Sequence, residues 1–585
     1  MSDRLKSFAL AGAILALAGG AVADDGPPRI TLQPDLSGRL ADAEGRSAYG
    51  LFLAGRSAVG AGETALAADY FGQVADIADG EARVRQQAFT AALLTGDVAQ
   101  AAATAPTGDE LPPVLIEAGR LATVVHAFAE GRARDAHRQL QAAPIAEPHA
   151  RAARFIAPWI AAAAGDWDTA LAPVEAGSDA RTAVFARFQR AQLLEARGRR
   201  SEADAAYAEL VAASPDIALF RSAYGAFLER TRRRDAALAV YQAEGRPQGR
   251  VEEGIERLSR NGRPPALPGL RERAGAALTA AATAAIGDRA YEFAIAYLHM
   301  SLALNDDEGA RLLLGQTLTE AGMSLPARLV YAEVSPDQPE FYAQARMAIA
   351  YNLEAAGEAD AAVAEARRAL AATPDAAATH YGLAGLLMQT EQFDAALELL
   401  NGPVLNTANQ GPDVRFLRGA AYESVGRGPE AEAELWAALQ AAPNDPNILN
   451  YLGYLWVDRG GRVEEGAEMI ARAFAAAPDN GNIQDSLGWA QYRQGQYEAA
   501  VQTLEGAVAK EPANAEIVGH LADAYWQVGR RREAGFLWSR VLTLDADEDQ
   551  RAAAEAKLEV GLDAYEARIE AAGGGAPVQT AGMDR

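Results

Sequence analysis

Three short stretches late in the chain set amides, carboxylates and large aromatics at helical spacing. The first holds Asn447, Asn450, Tyr454 and Val457. The second holds Asn482, Asp485, Trp489 and Tyr492. The third holds Glu516, Gly519, Asp523 and Trp526. Steps of three, four and three residues put each set on one face of a helix. The adjoining position adds Tyr451, Ser486 and His520. The chemistry is that of recognition. An asparagine amide both donates and accepts, so it can bond an extended backbone in either sense. Tyrosine and tryptophan supply contact area at little rotamer cost. Asn450 and Asp485 are expected to face a ligand, because unpaired polar groups are costly inside. Tyr454, Trp489 and Trp526 fit either a ligand wall or a seam between packed helices.

The signatures of catalysis are missing from the sequence. No lysine follows a glycine, so there is no phosphate loop ending in Gly-Lys-Ser/Thr, and neither H-E-x-x-H nor G-x-S-x-G occurs. The six histidines are His126, His137, His149, His299, His380 and His520, and no two stand three or four residues apart. With no cysteine there is no thiolate ligand, thiol nucleophile or disulfide. The expectation is a non-enzyme without metal or cofactor. The formal net charge of −25 opposes nucleic acid and anionic lipid as partners, which leaves proteins or peptides.

The elements that must carry these residues are copies of one motif. Closing prolines Pro443, Pro478 and Pro512 end three consecutive units. In the last, the stretch from Leu487 to Gln494 reads as a helix ended by Gly495. Tyr497 to Lys510 reads as its partner, with Ala500, Leu504 and Ala507 on one face. Gly488 and the two alanines are small where the helix axes approach. Pro512 stops the second helix. A single pair cannot bury both faces, so neighbours must stack.

The turn position can be followed along the chain through Gly62, Gly96, Gly131, Gly165, Gly198, Arg232, Asp288, Gly322, Gly357, Glu391, Gly426, Gly460, Gly495 and Gly529. That gives about fourteen repeats, 33 to 35 residues apart except for one interval of 56. The long interval holds Pro264, Pro265 and Pro268, which forbid a continuous helix. The expected plan is an all-α solenoid in two arms, 47–243 and 271–570, with a Pro/Gly-rich break at 244–270 and a disordered tail at 571–585. Residues 24–46 read as a linker or cap.

This pattern resembles the tetratricopeptide repeat (TPR): Leu487, Gly488, Gly495, Ala500, Leu504, Ala507 and Pro512 fall on the family's positions, with the first aromatic displaced to Tyr492. The resemblance implies a right-handed superhelix whose first helices line a concave, protein-binding wall. The stretches "LNYLGYLWVDRG", "IQDSLGWAQYRQGQYEAAVQTLEGA" and "HLADAYWQVGRRREAGFLW" resemble, more narrowly, Gram-negative envelope TPR proteins that act as adaptors for carboxyl-terminal processing proteases. That implies an envelope protease and its substrates as partners. A scaffold for outer-membrane assembly or polysaccharide export is the alternative. The basic clamp by which some TPR domains hold a carboxyl-terminal Asp or Glu is absent, since Asn450 and Asp485 stand where a cation is needed.

The start of the chain suggests where this happens. Arg4 and Lys6, an apolar run from Phe8 to about Ala18, and "AVA" at Ala21 to Ala23 read as a signal peptide, residues 1–23, cut before Asp24. Gly20 follows "LAG" where a lipoprotein would have cysteine, so no lipid anchor is expected. The run is short for a membrane span. The expected location is the periplasm, soluble or peripheral at the outer membrane.

Overall fold

The computed structural model describes residues 46–571, apart from 61–62, 78–81, 108–110, 174–179, 215–216 and 244–248. The signal peptide, most of the 24–46 linker, the tail beyond 571 and the turn at Gly62 lie outside the described residues. Among those described there are 31 helices and no strand. Fourteen helical hairpins run from Ala48–Gly60 to Arg531–Val541. One extra helix, Arg250–Ser259, lies in the Pro/Gly-rich interval, and a pair, Glu548–Val560 and Leu562–Ala571, follows the last hairpin. The chain is therefore a TPR-type helical-hairpin solenoid. No described helix is long and apolar enough to cross a membrane.

The turns are made as the repeat requires. Gly96, Gly131, Gly165, Gly198, Gly322, Gly357, Gly426, Gly460, Gly495 and Gly529 all have positive φ, and so do Arg232 and Glu391 where glycine is replaced. One expected turn is displaced: Asp288 is an ordinary helix cap at φ −86°, and Arg289 takes the left-handed conformation at φ +58°. Close helix approach explains the small residues. A Cβ at Gly488 would lie 2.5 Å from Cγ of Leu504, and one at Gly466 would lie 2.5 Å from the Gly453 carbonyl oxygen. Ala500, Leu504 and Ala507 are fully buried on the second helix of the same hairpin.

The chain divides into two compact units, residues 1–352 and 353–585. The prolines at 264–268 do interrupt helix, between Ser259 and Leu270, yet they lie inside the first unit. There the Leu270–Gly287 and Tyr291–Leu304 hairpin packs back on helices far earlier in sequence. Arg271 donates to the Ala129 carbonyl at 3.1 Å. His149 is seated against Tyr297, Nδ1 to hydroxyl 2.7 Å, and its Nε2 donates to the Val114 carbonyl at 3.2 Å. His299 Nε2 donates to the Leu94 carbonyl at 3.1 Å. Burial pulls both imidazoles down to about 4, so each is a neutral ring at ordinary pH. In the first unit, then, repeats touch more than their sequence neighbours.

Candidate protein-binding wall

In the second unit the first helices of three successive repeats are Pro446–Asp458, Gly481–Arg493 and Ala515–Gln527. Each is started by the same device. The Oδ1 atoms of Asp445, Asn480 and Asn514 accept from the two backbone N–H groups that open their helices, at 2.9 to 3.2 Å. The three helices therefore begin at equivalent positions of their repeats. The face curves inward: the Tyr454 hydroxyl reaches Glu516 Oε1 at 3.4 Å, two repeats ahead.

The structure corrects the expectation for Asp485. Its side chain is buried, and its carboxylate meets His520 Nδ1 at 3.0 and 3.1 Å. Burial opposes a charge on His520, but the Asp485 carboxylate, its hydrogen bond, and the fields of Glu516 and Asp523 outweigh that and raise the ring to about 9. The pair is thus an internal ion pair between adjacent repeats. Trp489 lies flat against it, its ring centroid 4.2 Å from that of His520 and 4.8 Å from that of Tyr492. Asp523 is buried as well, accepting from the Trp538 indole at 2.8 Å and from Lys557 Nζ at 2.7 Å. Tyr454 and Tyr492 are likewise buried, with phenol pKa values pushed up chiefly by desolvation.

The outer part of the predicted stripe is different. Asn447 is exposed, and Asn450 and Tyr451 are half-buried. Tyr451 packs edge-on against Phe416 at 5.3 Å. Asn450 Oδ1 accepts no hydrogen bond among the described residues. Asn482 is half-buried, its Oδ1 3.4 Å from Asn514 Nδ2. Trp526 is partly exposed, with its indole donating to Asp563 at 3.1 Å and the Arg531 guanidinium 4.7 Å above its ring. The predicted residues therefore do come together, as a buried network towards the end of the wall and an open strip towards 447.

Sequence reasoning missed the residues that complete the network from outside the repeats: Lys557, Asp563 and Glu566. Glu566 Oε1 lies 3.5 Å from the Tyr492 hydroxyl, which also receives Gln527 Nε2 at 3.3 Å. One signal was available. Lys557 is one of only three lysines in a chain whose other cationic side chains are arginines. Among the described residues no group of three or more His, Asp or Glu is placed to hold a metal ion.

The chain is similar in part to several known proteins. A Pseudomonas aeruginosa TPR repeat-containing protein is 29% identical over 217 residues, which is 37% of this chain and 36% of that protein, so the chain matches about a third of the relative's length. Among solved structures, the APC/C hetero-tetramer Cut9–Hcn1 aligns over 88% of this chain and 96% of that chain, with 14% identity and a TM-score of 0.39. A tetratricopeptide repeat protein from Parabacteroides merdae aligns over 43% and 98%, with 11% identity and a TM-score of 0.37. Residues 353–421 and 491–558 match the family model of the tetratricopeptide repeat, so over those stretches the hairpins are TPR units in sequence as well as in fold.

Proposed function

We propose that this chain is a non-catalytic protein-interaction scaffold of the periplasm, and that it presents protein substrates to a carboxyl-terminal processing protease. One observation carries the scaffold reading. Three first helices opened by the same kind of side-chain cap carry corresponding polar and aromatic positions, of which Asn447 is exposed and Asn450 and Tyr451 are half-buried, Tyr451 packing on Phe416. An extended segment laid along that strip would bond the exposed Asn447 amide and make apolar contact with Tyr451. The protease role is supported by the likeness of residues 271–538, strongest after Leu449, to envelope adaptors, and the periplasmic location by the signal-like residues 1–23.

The test is crosslinking in cells, then affinity purification of the chain from the periplasmic fraction. Recovery of a processing protease and its substrates is the expected result. Recovery of outer-membrane assembly or polysaccharide-export proteins instead would replace the adaptor role with the alternative. Amino-terminal sequencing of the purified protein should begin at Asp24. An intact Met1 on membrane-bound material would remove the location.

A further inference from the structure

The last described helix, Leu562–Ala571, follows the Glu548–Val560 helix and touches two side chains of the predicted strip, Trp526 and Tyr492. Its Leu562 is buried in the core of the final repeats and Tyr565 packs beside it. Its carboxylates meet wall donors: Asp563 takes the Trp526 indole N–H at 3.1 Å and lies 3.7 Å from the Arg531 guanidinium, and Glu566 faces the Tyr492 hydroxyl at 3.5 Å. Trp526 and Tyr492 are two of the residues that the repeat pattern assigns to ligand contact.

We propose that this end of the wall is a reading site for an acidic amphipathic helix, with carboxylates one turn apart beside an apolar stripe, and that residues 562–571 are its built-in occupant. This rests on the reading of the wall as the ligand surface. The wall side supplies N–H, O–H and guanidinium donors to the occupant's acceptors, while the buried Asp523 carboxylate, paired with Lys557, opposes the charge on Glu566. The occupant is also built to leave. Its wall-facing carboxylates sit on exposed residues, with the Asp563 side chain 64% accessible. A partner helix of the same chemistry therefore competes with it for Trp526 and Tyr492, and binding at this end of the wall is held back until the chain's own helix is displaced.

The chain contains no cysteine, which makes a single-label experiment direct. Ala567→Cys in the full-length protein carries a bimane, whose emission indole rings quench at short range. The probe is a synthetic peptide of residues 561–572. Titration with it should relieve the quenching. A peptide with alanine at the Asp563 and Glu566 positions should need at least about tenfold more. In the full chain, Asp563→Ala with Glu566→Ala should lower the concentration of unaltered peptide required by about tenfold, with hydrogen exchange of the Ala515–Val541 hairpin unchanged. Arg531→Gln serves as a second variant, on the other side of the contact. It should raise the peptide requirement in solution assays of the doubly substituted chain. Quenching that persists at millimolar peptide in both the parent and the doubly substituted chain would overturn the proposal and make the helix a fixed cap. A partner crosslinked at Asn447 in that event would leave the scaffold reading standing.

Discussion

Replacing Asp485 with alanine should destabilise the carboxyl-terminal repeats sharply, although the repeat pattern assigns the side chain to ligand contact. Asp485 and His520 are both buried and face each other at 3.0 Å. Removing one partner of such a pair strands the other and typically costs about 3 to 5 kcal/mol. A second route gives a similar size. His520 is raised from 6.5 to about 9, and at about 1.36 kcal/mol per pKa unit this is on the order of 3 kcal/mol. The sign follows from the folded value lying above the unfolded one. The stabilisation is complete below pH 6.5 and is lost as pH rises through 9. Urea unfolding of the parent and Asp485→Ala proteins, followed by hydrogen exchange on peptides from 481–541, should therefore show a large difference at pH 6. The difference should shrink by pH 10. Asn450→Ala, whose Oδ1 has no hydrogen bond to lose, should stay within about 0.5 kcal/mol. Equal stability of Asp485→Ala and parent at pH 6 would refute the ion pair, and so would a His520 ring that titrates near 6.5.

The first unit should respond to pH in the opposite direction. His149 and His299 are lowered from 6.5 to about 4 by burial, so their contribution is present above pH 6.5 and is lost as pH falls through 4. Exchange protection of residues 291–304 and 82–95 should fall together over that window, and protection that holds to pH 4 would contradict it. Gly488→Ala should cost about 1 to 3 kcal/mol by overpacking, since the new methyl meets Leu504 at 2.5 Å, with lost protection concentrated in 481–510. Gly96→Ala and Gly131→Ala both force a methyl onto positive φ, at about 1 to 2 kcal/mol each. Only the first also strikes a neighbour, the His299 ring, so chemical denaturation should find Gly96→Ala the more harmful of the two.

What the sequence made legible was local, and what it hid was cumulative. A glycine at a turn is demanded by one backbone angle, so Gly495 and its equivalents could be placed by spacing alone. Glu391 and Arg232 kept the phase without the residue type. Asp288 was misplaced by one position because Asp288 and Arg289 offered no glycine to choose between them. Burial of Asp485 depended on its facing His520 in the next repeat, 35 positions on, and neither residue type declares a partner at that distance. The return of the Tyr291–Leu304 helix onto His149 and Leu94 arises from small rotations added over many hairpins, which no short pattern encodes. The covering of Trp526 and Tyr492 by residues 562–571 lay outside the repeat altogether.

Partners should engage the inner face of the first helices, which site-specific photocrosslinking can show. A photoreactive phenylalanine analogue at Asn447, exposed on the wall, should form adducts with a partner protein in intact cells. The same analogue at Phe536, 75% accessible on a second helix, should not. Adducts from position 536 with none from position 447 would place the interaction on another face and contradict the account.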